Sequence, residues 1–123
     1  SRSGKWIGFR GIPMEAILRF DTLHSISHLT VSSLIDIRRC IMPPRSIEIW
    51  AGNSPGHFRL LSKISPEQPT KEASAYMKGY KLNFKPVKEK YMKVVIVPVS
   101  KLPLWHKGKG DKGWIFVDEL FLN

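Results

Sequence analysis

Trp105-His106, Arg38-Arg39 and the lysines of Lys107-Gly108-Lys109-Gly110-Asp111-Lys112 are the residues of this chain whose types and spacing can do chemistry. That chemistry is recognition. An indole offers a flat face to the apolar side of a pyranose ring, and imidazole and guanidinium groups can donate to its hydroxyls. Ammonium groups attract carboxylated or sulfated sugars, though as point charges without the two-pronged fork of Arg. Each residue also has a plainer role: Trp105 packing under the Gly/Lys loop, His106 bonding backbone carbonyls to hold it, the lysines merely solvated. The sequence alone leaves both roles open.

Catalysis finds less support. Glycoside hydrolysis needs two carboxyl groups about 5–9.5 Å apart across a cleft. The adjacent pair Asp118-Glu119 would point to opposite faces of a strand. No Gly-x-Ser-x-Gly nucleophile motif occurs. Gly108, Gly110 and Gly113 fit a dinucleotide spacing, but they precede a strand pattern, so no helix N-terminus is there to receive a pyrophosphate. His24, His28 and His57 are scattered without metal-ligand spacing, and a lone Cys40 excludes an intrachain disulfide framework.

These residues must be positioned by strands. Trp114–Leu122 is a short apolar run rich in aromatic residues, which predicts a central strand buried on both faces. Met14–Phe20 alternates, with Met14, Ala16, Leu18 and Phe20 on one face. Ser27–Leu34, Arg45–Gly52, His57–Ile64, Tyr76–Lys85 and Lys90–Val97 read as further strands. Within Arg45–Gly52 the core face is Ile47, Ile49 and Ala51, which sends Trp50 outward. Lys5–Gly11, framed by glycines, reads as a loop entering a strand. Asn53-Ser54-Pro55-Gly56 is hairpin chemistry, with Pro presetting φ and Gly free to take φ > 0. Asp36–Pro44 and Ser65–Ala75 are connections. No helical period is visible, so the expected fold is all-β: an antiparallel β-sandwich or jelly roll of about eight strands.

Length bounds the chain to one domain, 1–123, large enough to bury a core without staples. No stretch reaches the ~20 apolar residues of a membrane span. The formal charge of +10 is spread along the chain, Arg-rich in the first half and wholly Lys in the second. Such charge suits an acidic partner such as an anionic glycan, a nucleic acid or a membrane surface, or simple solubility.

The ending WHKGKGDKGWIFVDEL resembles the closing motif of discoidin-like (coagulation factor type C, galactose-binding-like) domains appended to bacterial family 20 glycoside hydrolases, the β-N-acetylhexosaminidases. Trp6–Ala16, Ser46–Phe58 and Lys90–Val97 resemble other segments of that family. Arg19-Phe20-Asp21 departs from its Asp-Leu-Gly, and no Trp stands near Cys40. The resemblance implies a non-catalytic carbohydrate-binding module, a fragment of a larger multidomain protein that is secreted, periplasmic or at the cell surface. It implies a glycan partner, N-acetylhexosamine-containing or acidic, and the catalytic domain of the same chain; nucleic acid is not the expected partner. It places sugar contacts on loops at one end of the sandwich, at Trp105, His106, Arg38, Arg39, Lys107 and Lys109. It also implies a structural calcium, for which Glu119 is the remaining ligand candidate, since the family's Asp-Gly segment is not found here. The rival readings are a spacer that docks on its own enzyme without ligand, and a domain binding sulfated glycans or other polyanions.

Overall fold

A computed structural model describes the backbone of residues 2–122 and the side chains of residues 11–117. Over these residues the chain forms eight strands: β1 (Arg2–Arg10), β2 (Met14–Arg19), β3 (Ile26–Ile35), β4 (Ser46–Ser54), β5 (His57–Ile64), β6 (Tyr76–Val87), β7 (Tyr91–Val97) and β8 (Trp114–Leu122). A single 3-10 turn, Ile37–Arg39, lies between β3 and β4. Two four-stranded sheets result, ordered β1-β8-β3-β6 and β2-β7-β4-β5. Every strand pair in them is antiparallel. The fold is an antiparallel β-sandwich, as the alternating apolar pattern requires. No helix among the described residues is long and apolar enough to cross a membrane.

The inward faces of both sheets make the core. Leu29 and Val31 of β3, Ile47 and Ile49 of β4, Val94 and Ile96 of β7 and Ile115 of β8 are all but fully buried. Their outward neighbours alternate with them, as the period of two demands. Trp50 faces outward and is half-buried. Its indole N–H donates to Glu48 Oε1 at 3.2 Å, and the Lys93 ammonium lies 4.9 Å from the ring centroids of both Trp50 and Phe58. The ring is therefore packed by a cation on the surface.

Three expectations need correction. β1 runs as a strand over Arg2–Arg10, paired with β8, where the glycines suggest a loop. Its one register shift falls between Gly4 and Ile7, and a glycine in a strand commonly marks a bulge; Gly8 pairs in regular register with Phe116, and Gly11 follows the strand. β8 is central, between β1 and β3, but is not buried on both faces: Ile115 and Val117 are buried, while Trp114 is 36% exposed. Trp114 instead packs edge-on against half-buried Phe116, ring centroids 6.0 Å apart. Two-sided burial belongs to sheets covered on both faces, and the outer face of this one is open. Third, the β4–β5 hairpin turns at Pro55-Gly56, but Gly56 does not use the left-handed region; among described glycines Gly11 and Gly110 do. A Cβ at Gly56 would meet nothing within 4 Å. Gly56→Ala is accordingly expected to stabilise the domain by about 0.4–1 kcal/mol through the unfolded state. The check is a melting temperature higher by about 2–5 °C. The glycine that matters in this hairpin is Gly52, where a Cβ would overlap the His57 carbonyl oxygen.

Because successive strands run antiparallel, the long connections collect at one end. Residues 36–45, 65–75 and 98–113, with the short 11–13 link, lie there. The connections at 20–25, 55–56 and 88–90 lie at the other.

Candidate functional site

The site is built on the 3-10 turn after β3. Asp36 and Ile41 exchange backbone hydrogen bonds of 2.9 Å each, closing residues 36–41 into a tight loop. Cys40 ends the turn at φ 65, its N–H donating to Ile37 O at 3.0 Å and its carbonyl accepting from Trp114 N–H at 2.8 Å. Ile37 points inward and joins Ile35, Met42 and Leu102 in a second, smaller core beneath the loops. Arg38 and Arg39 point outward, because they follow the buried residue in a turn whose inner side is filled.

The 98–113 connection folds against this turn through its histidine. His106 is 4% exposed. Its Nδ1 accepts Gly108 N–H at 2.8 Å, which leaves Nε2 to donate to Ile37 O at 2.5 Å. The remaining loop is tied by its own backbone: Leu102 N–H to Asp111 O (2.8 Å), Lys109 N–H to His106 O (3.1 Å) and Asp111 N–H to Gly108 O (2.9 Å). Gly110, at φ 85, holds a conformation that side chains disfavour. The Gly/Lys run is thus a compact loop pinned by an imidazole. It feeds a strand, β8.

The third loop, 65–75, is fastened by Gln68, whose Nε2 donates to the carbonyls of Pro43 and Pro44 at 3.1 Å each. This brings Glu72 opposite Arg38, with Nε to Oε2 3.7 Å. Arg38, Glu72, His106 and Lys107 together line a hollow of about 420 Å³. A second hollow of about 270 Å³ shares Arg38 and is bounded by Asp36, Arg39 and residues 73–75. Arg39 Nε sits 3.6 Å from Asp36 Oδ2 with its side chain 82% exposed.

Of the residues singled out from sequence, the fold brings Arg38, His106 and Lys107 to one hollow and Arg39 to its neighbour. Trp105 is 38% exposed and stands beside the hollow, its ring 5.9 Å from His106 and tilted by 51°. Lys109 is exposed on the same loop and lines neither hollow. Both nitrogens of His106 are engaged within the protein, so the ring presents its carbon edge rather than a donor. Glu72 was not singled out by sequence reasoning. Nothing in the polar run Thr70-Lys71-Glu72 distinguishes it, and only the fold places it against Arg38.

Glu119, the calcium candidate, lies outside the described side chains. Among the described residues no three of His, Cys, Asp and Glu gather closely enough to hold a metal ion.

No family model matches this chain, and no curated protein sequence does. Among solved structures, 90% of the chain is similar to 21% of a protein from Bacteroides thetaiotaomicron described as an alpha-L-fucosidase, at 11% identity and TM-score 0.45. A further 16%-identical likeness, also at TM-score 0.45, joins 91% of the chain to 66% of the C-terminal domain of a chitobiase from Bacteroides fragilis. The chain therefore spans less than two thirds of either.

Proposed function

We propose that this domain is a non-catalytic carbohydrate-binding module, discoidin-like in kind, that holds glycan near the catalytic domain of a secreted or surface-bound bacterial glycoside hydrolase of the hexosaminidase type. The observation that carries the reading is the convergence of three separate connections on the hollow between Arg38, Glu72, His106 and Lys107, with Trp105 exposed beside it. An aromatic face next to charged donors on loops, held by a rigid scaffold, is what recognition of a sugar ring requires. Tethering then raises the local concentration of substrate at the catalytic domain, so weak single-site affinity suffices.

A shallow, solvent-open site with one aromatic and two or three polar groups supports a Kd on the order of 0.1–1 mM, or roughly −4 to −5.5 kcal/mol. The test is calorimetric titration of N-acetylhexosamines into the parent domain and Trp105→Ala, with each fold checked by its melt. Trp105→Ala is expected to weaken binding about fivefold or more while remaining folded, since aromatic stacking is worth about 1–3 kcal/mol in the related case of nucleobases. Absence of binding by the parent would leave the spacer reading in its place. The polyanion reading has its own signature. Binding carried by Lys107, Lys109 and Lys112 must weaken as salt shortens the Debye length from ~10 Å at 0.1 M to ~3 Å at 1 M, whereas stacking and neutral hydrogen bonds are nearly indifferent to it.

A further inference from the structure

We infer that the Arg38 hollow accepts a sugar bearing a carboxylate, a uronic-acid residue of an anionic glycan, and that Glu72 tempers this preference by occupying the carboxylate's place when no ligand is bound. The inference rests on the carbohydrate-binding reading above and goes beyond it in naming the class of sugar and the residue that competes with it.

The geometry of one contact carries it. Glu72 meets Arg38 through a single pair of atoms, Nε and Oε2, at 3.7 Å. That is beyond hydrogen-bond length and far from the parallel two-bond arrangement a guanidinium makes with a well-placed carboxylate. Both partners are open to water, the side chains 68% and 40% exposed. An exposed pair of this kind is held weakly. The hollow therefore contains a carboxylate in the right neighbourhood and in poor geometry, which a better-placed one can displace. Lys107 lines the same hollow and adds a second positive charge to it. A neutral sugar gains nothing from either cation beyond a hydroxyl contact. A small free anion gains the charge but not the ring contacts, so it competes poorly with the carboxylate already tethered there. Only a ligand that brings a ring and a carboxylate together uses the whole site.

The test titrates a uronic-acid trisaccharide and its carboxyl-reduced, neutral counterpart into the whole 123-residue chain and its Glu72→Gln, Glu72→Asp and Arg38→Gln variants. The parent is expected to prefer the acid. Two like charges about 4 Å apart in water repel by about 1 kcal/mol, a factor of about five. Glu72→Gln should thus raise the acid-to-neutral affinity ratio about fivefold, Glu72→Asp should keep the parent's ratio, and Arg38→Gln should bring the ratio close to one. The fivefold gain should shrink in 1 M salt. An acid-to-neutral ratio that Glu72→Gln leaves within twofold of the parent overturns the role of Glu72. Equal binding of the two sugars by the parent overturns the acid preference while the carbohydrate-binding reading stands. If neither trisaccharide nor any N-acetylhexosamine binds, the underlying reading fails and the inference with it.

Discussion

Val117→Asp is expected to leave the domain without a stable fold. Val117 is 4% exposed on the inner face of β8, opposite Ile7 of β1 and Ser33 of β3. A carboxylate there has no cation to meet in the described core. A polar candidate opposite it is the Ser33 hydroxyl, which is itself buried without a hydrogen-bond partner among the described residues. One neutral hydroxyl does not offset the desolvation of a charge, so the loss is several kcal/mol. A domain of this size is held by about 5–15 kcal/mol in all. Because β8 pairs on both sides, the damage reaches three strands of one sheet rather than an edge. Val117→Ala is the control: it removes two methyl groups and is expected to cost about 2 kcal/mol. Circular dichroism melts decide the matter. A Val117→Asp protein melting within about 3 °C of the parent would show that β8 does not sit in the centre of its sheet.

How much of this was readable without coordinates depends on the range of the interaction. The alternation in Met14–Arg19 and Tyr91–Val97 exposes the inner face of one sheet directly, because burial on one side imprints a period of two on the chain. The same logic placed Trp50 outside. It failed at β8, where Trp114 and Phe116 are apolar for a local reason: they cover each other on an open face. It failed at β1, where the strand runs through Gly8 in regular pairing and a glycine, Gly4, borders its one register shift. The site was legible only in part. Arg38 and Lys107 carry the right chemistry in any context, and connections of this length suit binding loops. That they share a hollow follows from antiparallel strand order, which sends the β3–β4, β5–β6 and β7–β8 connections to one end. Glu72 acquires its meaning only there. Nor did composition distinguish the two roles of the Trp105-His106 pair. The structure divides them, the tryptophan exposed beside the hollow and the histidine buried under it.

That division makes His106→Ala the substitution with the larger effect of the two. The imidazole satisfies the Ile37 carbonyl and the Gly108 N–H at once, joining the 98–113 loop to the 3-10 turn. Alanine removes both bonds: the Ile37 carbonyl keeps its bond from Cys40 N–H, while the Gly108 N–H is left to find water beside a site that is 4% exposed. A buried polar group left unpaired costs about 1–3 kcal/mol. Loss of the second bond to the Ile37 carbonyl adds about 0.5–1.5 kcal/mol, which places the total at about 2–4 kcal/mol. For a chain of this length that is a fall in Tm of about 6–16 °C. Trp105→Ala, removing a side chain already 38% exposed, should cost under about 1 kcal/mol and melt within about 4 °C of the parent. The ring also sets function at a distance from any ligand. Without it the loop loses its side-chain link to the 3-10 turn, and the position of Lys107 relative to Arg38 rests on the loop's backbone bonds and the small core of Ile37, Met42 and Leu102, so sugar affinity should fall together with stability. Glutamine, which keeps one acceptor and one donor, should recover part of both losses in parallel. If His106→Ala melted within about 2 °C of the parent but lost sugar binding all the same, the imidazole would be touching the ligand and its bonds to Ile37 and Gly108 would be incidental.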